Sequence, residues 1–156
     1  MNSPISKGPS ASDKSGSSEP VLTLTTARSM VPLVQRIVQD VLETCQELAR
    51  LQPEQDQLDS QRRSLPWPAR SRRYQLREEI AIQEQHLGEA LNELESLGVV
   101  FHDQAKAQVG FPTLVNGRKA FFSWRLGEDT LKHWHFAGEK LRRVIPPTWN
   151  VEKESA

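Results

Sequence analysis

The run PLVQRIVQDVLETCQELARL, residues 32–51, is the stretch whose reading decides the rest of the chain. Val34, Val38, Val41, Cys45 and Leu48 recur at alternating steps of four and three, the spacing of an apolar seam along one side of a helix. Leu33, Ile37 and Leu42 widen that stripe on its flank, so the face is broad enough for more than one neighbour. Pro32 suits the first position of a helix, where its missing N–H costs nothing, and the main helix is expected to start there. Ahead of it, Val21 and Leu22 read as an extended lead-in. Thr23 or Thr25 is positioned to cap a separate short helix over 24–31 that the proline kinks or ends. Beyond Leu51 the same register meets Gln52, Gln55, Asp59 and Arg62, and Pro53 adds a bend. The far end of this arm is expected to be thin, with Leu58 its main apolar contact.

A matching stripe occupies LREEIAIQEQHLGEALNELESLG, residues 76–98, where Leu76, Ile80, Gln83, Leu87, Ala90, Leu94 and Leu97 repeat the four-three step and Gly98 stands as a C-terminal cap. Between the arms, Pro66 and Pro68 disfavour helical geometry at Leu65 and Trp67 and mark a tip. The two arms form an antiparallel, coiled-coil-like hairpin over 32–97. Leu94 and Leu97 then face Val34 and Val38, and Leu87 faces Cys45.

After Gly98 the period changes from helix to strand. Val99-Val100-Phe101, Val109-Gly110-Phe111-Pro112 and Lys119 to Leu126 read as strands, and Asn116-Gly117 suits a two-residue type I′ turn. A small antiparallel sheet over 99–126 needs a cover on one face, and the base of the hairpin supplies it. Gly127-Glu128-Asp129 is read as capping a short C-terminal helix over 129–136. The tail, 139–156, is read as irregular, strapping back through Ile145 or Trp149. The fold class is α+β, one domain over 21–138.

Composition narrows the functions. Residues 1–20 hold seven serines, three prolines and two glycines but one large aliphatic, too little apolar surface to offset the entropy of ordering, so this leader is expected to be disordered. Twenty basic and twenty acidic side chains cancel, and no global field steers the chain toward nucleic acid or an acidic membrane. The single cysteine, Cys45, excludes an internal disulfide and fits a reducing compartment. No apolar run approaches the roughly 20 residues of a membrane span, and the N-terminus has no secretion-signal pattern. A cytoplasmic protein is expected.

Leu22-Thr23-Leu24, Pro32-Leu33-Val34, Gly98-Val99, Phe111-Pro112, Trp124-Arg125-Leu126-Gly127-Glu128 and Trp134-His135 follow one another in an order that resembles a bacterial family catalogued as a domain of unknown function, number 2203. The resemblance covers about residues 22 to 138, and Trp-Arg-Leu-Gly-Glu followed by Trp-His is its most specific part. It implies the limits of the domain and no catalytic residue. Two positions depart from the family's pattern: Gly110 stands where an acid usually precedes Phe-Pro, and Ser123 where a cysteine often precedes Trp-Arg.

Two groups of residues are candidates for function. Arg62, Arg63, Arg70, Arg72 and Arg73 place five positive charges in twelve residues around Trp67, with no acid among them. Guanidinium groups grip phosphates in bidentate fashion, and an exposed indole stacks on a base or sits at a lipid headgroup. The plainer reading pairs these arginines with Glu54, Asp56, Asp59, Glu78 and Glu79 on adjoining turns. The second group is Asp103, Arg125, Glu128, His133 and His135 at the exit of the sheet. Carboxylate and imidazole can ligate a divalent metal, but a helical Lys132-His133-Trp134-His135 turns its two rings apart, whereas a strand aligns them. The plainer reading pairs Arg125 with Glu128 or Asp103 and has His135 donating to a backbone carbonyl. Cys45 on the seam reads as a small hydrophobe, and Phe122 with Trp124 as core.

No Ser-His-Asp elbow, phosphate loop or HExxH motif is present, and no metal or cofactor is assigned. These features point to a non-enzymatic protein-interaction or oligomerisation module built on the hairpin, with a protein partner or a second copy as its target. The alternatives are nucleic-acid or anion binding through the Arg-rich tip and a metal-dependent enzyme at the sheet exit.

Overall fold

Thr23 starts the first helix: its side-chain oxygen accepts from the Thr26 N–H at 3.1 Å, satisfying one of the four donors that a helix start leaves without partners. In the computed structural model, which describes residues 21–149, helix α1 then runs as one element over Leu24–Ser60. The Ser/Pro-rich leader at 1–20 and the last residues of the tail, 150–156, lie outside the described residues. The separate helix expected over 24–31 is therefore corrected, and so is the break at Pro32. The reason is energetic. An interior proline costs about 3 kcal/mol, whereas each fully buried aliphatic side chain contributes roughly 1.5–3 kcal/mol. Leu24, Ala27 and Val31 ahead of the proline share one core with Val34, Ile37, Val38 and Val41 behind it, and only a continuous helix keeps both sets on the same face. Pro32 and Pro53 themselves are exposed, so the lost hydrogen bonds fall on the solvent side.

A short turn with Leu65 tucked beneath it leads into α2, Trp67–Ser96, with Pro68 in its first turn. The helices pack along their lengths as an antiparallel pair about 45 Å long, at 1.5 Å per residue over the shorter one. Val38 and Leu94 are fully buried in the base cluster, and Leu87, Cys45 and Leu97 pack against it. Nearer the tip a second, separate cluster of Leu51, Leu76 and Ile80 is flanked by Leu48 and Leu58. The far arm thus has more core than Leu58 alone, because Leu51 finds Leu76 and Ile80 opposite.

The exit from α2 is a Schellman cap. Gly98 adopts φ +82°, its N–H donates to the Glu95 carbonyl at 2.9 Å, and the Val99 N–H donates to the Leu94 carbonyl at 3.2 Å. Val99 and Leu94 are both buried in the base core, the apolar contact that accompanies this motif. Five strands follow, all antiparallel and in sequence order: β1 Val100–Asp103, β2 Gln108–Val115, β3 Arg118–Arg125, β4 His133–Phe136 and β5 Arg143–Val144. Asn116 and Gly117, at φ +53° and +77°, make the two-residue turn that sets Val115 opposite Arg118. Phe101, Val109, Phe111, Ala120, Phe122, Trp124 and Trp134 form the inner layer with the hairpin base. Pro112 is tolerated because β1 ends its pairing at Gly110. The Pro112 carbonyl, on the side left open, accepts from the Leu22 N–H at 2.8 Å.

The short helix expected over 129–136 is corrected: this segment contains β4. Phe122 stands opposite Trp134 and Ala120 opposite Phe136, so a period of two places Trp134 on the core face and His133 and His135 on the other. A helix would have turned Trp134 away from Phe122 and left the edge of β3 unpaired. The sheet also continues past 126, with β5 drawn from the segment read as an irregular tail. Ile145 is buried there, and Trp149 packs 5.1 Å from the Trp134 ring and 6.4 Å from Phe122.

Candidate functional site

The tip carries six of the residues singled out by sequence. Arg72 donates to both oxygens of Glu54, at 2.9 and 3.0 Å, and reaches Glu79 at 3.9 Å; Arg73 bonds Asp59 at 2.5 Å. Those two arginines tie one helix to the other, as the plainer reading expects. Arg62, Arg63 and Arg70 are exposed, with no acidic partner among the described residues. Trp67 is 68% exposed, and Tyr74, one heptad further along α2, is 57% exposed. The apex therefore combines an open indole, a phenol and three unneutralised guanidinium groups. By contrast, the flank at Leu33, Ile37 and Leu42 is largely used within the chain: Ile37 is buried in the base core, Leu42 packs against it, and Leu33 is 38% exposed.

The second group divides in two on the outer face of the sheet, away from the hairpin. Asp103, Arg125 and His135 line one cavity of about 380 Å³, together with His102, Lys106, Gln108, Gly138, Glu139 and Lys140. Glu128 and His133 belong to a neighbouring network. Glu128 Oε1 accepts from the Arg125 backbone N–H at 2.9 Å and from Arg142 at 2.8 Å, and its backbone carbonyl accepts from the Trp124 indole at 2.9 Å. Arg142 also donates to Ser123 Oγ and to the Ser123 carbonyl, at 2.9 and 3.1 Å. Burial opposes ionisation of Glu128, but Arg142 and the Arg125 N–H outweigh it and hold the carboxyl below the usual range. His133 Nδ1 stands 3.8 Å from Glu128; burial first, then the charge of Arg142, lowers the pKa of this ring.

The expected pairing of the Arg125 side chain with Glu128 or Asp103 is not what forms: its Nε donates to Gln108 Oε1 at 2.9 Å. His135 Nδ1 stands 2.8 Å from the Phe136 carbonyl, as expected of a donor there. The ring is 4% exposed, and its Nε2 has no hydrogen-bond partner. Among the described residues no group of three His, Cys, Asp or Glu side chains is arranged to hold a metal ion. Cys45 is half-buried, its Sγ 2.9 Å from Gln104 Nε2.

The sequence model of the family described as Uncharacterized conserved protein (DUF2203) matches residues 21–143. The chain belongs to this family. No curated protein and no solved structure matches it. The hydrogen bonds around Glu128 give a physical account of the Trp124 to Glu128 segment of this DUF2203 chain: it folds back on itself, with indole, backbone and carboxylate all satisfied within five residues. Gly110 and Ser123 lie on the outer face as well. At Gly110 the space a side chain would fill is taken by the His102 ring, and at Ser123 the hydroxyl accepts from Arg142. Sequence reasoning missed His102, Lys106, Gln108, Glu139 and Lys140. The signal for His102 was its alternation with Phe101 on β1; Lys106 and Gln108 join through the pairing of β1, β2 and β3, while Glu139 and Lys140 arrive only through the β4 register. Among the described residues no helix is long and apolar enough to cross a membrane.

Proposed function

We propose that this protein is a non-enzymatic interaction module in which the hairpin holds its apex away from the sheet and presents it to an acidic surface of a partner protein. The observation that carries this reading is Trp67, 68% exposed at the first position of α2, with exposed Arg62 and Arg63 in the turn before it and exposed Arg70 three residues on. Tryptophan, tyrosine and arginine are the residues that dominate binding energy at protein interfaces. An exposed indole beside unneutralised guanidinium groups is complementary to a carboxylate-rich patch with an apolar centre. Arg72 and Arg73 support the reading in another way, since their ion pairs stiffen the arms beneath the apex. A cytoplasmic location fits the same reading, with Cys45 the single cysteine.

The test replaces Trp67 with a photo-crosslinking residue, identifies what is captured, and measures affinity of the purified partner for the parent chain and for W67A/R70Q. The expected result is a protein with an acidic contact surface whose binding weakens about tenfold or more in the double variant. Capture of a second copy of the chain, or of nucleic acid with a steep salt dependence, would replace the acidic partner by those targets. Binding indifferent to both substitutions would remove the apex from the account.

A further inference from the structure

The cavity on the outer face of the sheet is assembled from three separate parts of the chain and is independent of the apex. Asp103 ends β1, Lys106 follows in the next turn and His102 precedes them; Gln108 and Arg125 come from paired positions on β2 and β3; His135 and residues Gly138 to Lys140 come from β4 and the turn beyond it. Two observations point to a ligand. The first is His135: Nδ1 faces a carbonyl, which only accepts, so the tautomer that makes this bond carries its hydrogen on Nδ1 and its lone pair on Nε2. That nitrogen is buried without a partner, and burying a polar atom with no hydrogen bond is unfavourable. The second is charge. Arg143 neutralises Glu139 at 2.8 Å, which leaves Lys106, Arg125 and Lys140 around the cavity against Asp103 alone. Two positive charges are in excess, and among the described residues neither lysine has an acidic partner within salt-bridge distance.

We propose that this cavity binds a small phosphate monoester, with the dianionic phosphoryl group held by Lys106, Arg125 and Lys140 and a hydroxyl of the carbon skeleton donating to His135 Nε2. A monoester dianion matches the excess charge, whereas a monocarboxylate leaves half of it uncompensated. Arg125 is set for this role, because its Nε is held by Gln108 and the rest of the guanidinium stays available for a bidentate contact. The volume suits a ligand the size of a sugar phosphate. Nε2 is closed to bulk water, so a donor reaches it only with a small side-chain movement. The His102 ring, exposed and 5.3 Å from His135, is the group beside it. Once made, a hydrogen bond at so dry a site gains from the low local dielectric.

The test is imidazole NMR of the full chain during titration with ribose 5-phosphate and, separately, with inorganic phosphate. The expected result is a saturable shift of the His102 and His135 ring signals with ribose 5-phosphate, and weaker binding of inorganic phosphate, which lacks the carbon-borne hydroxyl. Because a change at buried His135 risks misfolding, the variant is Lys106→Gln combined with Lys140→Gln, both exposed, which is expected to weaken ribose 5-phosphate about tenfold or more. No saturable shift at about 10 mM ligand, or equal affinity in the double variant, overturns the proposal. Retention on phosphatidylcholine vesicles containing phosphatidic acid, without any response to ribose 5-phosphate, overturns the assignment to a small soluble ligand.

Discussion

His102 occupies the space that a side chain at Gly110 would fill: a Cβ there would meet His102 Nδ1 at 2.8 Å and Phe121 Cδ1 at 3.0 Å. The imidazole also stands edge-on to Phe121, with centroids 4.6 Å apart. Gly110→Ala therefore displaces a ring, at a cost of about 1–3 kcal/mol, while the stiffer unfolded chain returns about 0.4–1 kcal/mol. The net expectation is a loss of about 1 kcal/mol in urea unfolding, and His102→Ala in the same chain should recover most of it. Additive effects of the two substitutions would mean that another neighbour sets the cost.

Glu128 gives the fold an acid-sensitive joint. Its carboxyl is held below the ordinary range in the folded chain, so the unfolded chain binds the proton more readily. The stabilisation is present in full above the unfolded value and is lost as pH falls through the lowered folded value. Glu128→Gln should cost about 1–3 kcal/mol near neutral pH, because Arg142 and the Arg125 N–H lose a charged acceptor. It should also flatten the acid limb of a stability-against-pH curve. An unchanged acid limb would assign that slope to other carboxylates.

Leu76 belongs to a cluster that does not merge with the base core. Leu76→Ala should cost about 2–4 kcal/mol, expressed mainly as opening of the outer arms. Hydrogen exchange is expected to accelerate through residues 51–80 while amides of β2 and β3 keep their protection. Uniform acceleration would show that arms and sheet open as one unit.

Trp67 makes the opposite prediction. Being largely exposed, it can be replaced by alanine with a change in unfolding free energy within about 0.5 kcal/mol. The same variant should lose the emission component most readily quenched by iodide, since Trp124 and Trp134 are buried and Trp149 is half-buried against Trp134 and Phe122. A large destabilisation would make Trp67 a structural residue and weaken the case for it as an anchor.

The hairpin was legible because its signal is periodic and long: the Val34 to Leu48 and Leu76 to Leu97 stripes, the Gly98 cap and the Asn116-Gly117 turn each follow from local chemistry. Two misreadings share one cause, since local rules were applied where tertiary burial decides. Pro32 reads as a start or a break, yet the core residues on both sides of it hold the helix through. Gly127-Glu128-Asp129 reads as a helix cap, yet Glu128 turns back to its own strand, and the alternation in His133-Trp134-His135-Phe136 is a strand pattern that four residues express only weakly. The candidate cavity was half legible: Asp103, Arg125 and His135 stand out by residue type, but Lys106 joins them through a turn that carries no motif, and His135 and Lys140 meet the rest only once β4 is placed beside β3.

The pinning of Leu22 to Pro112 at one end of the hairpin and the cap at Gly98 at the other put both roots of the arms on the same block of core. Reach and foundation are thereby uncoupled: matched whole turns can be spliced into or cut from the two arms near the apex without disturbing a single strand contact. Chains built on this plan can vary how far the tip extends as freely as the length of a crane's jib varies on a fixed mast.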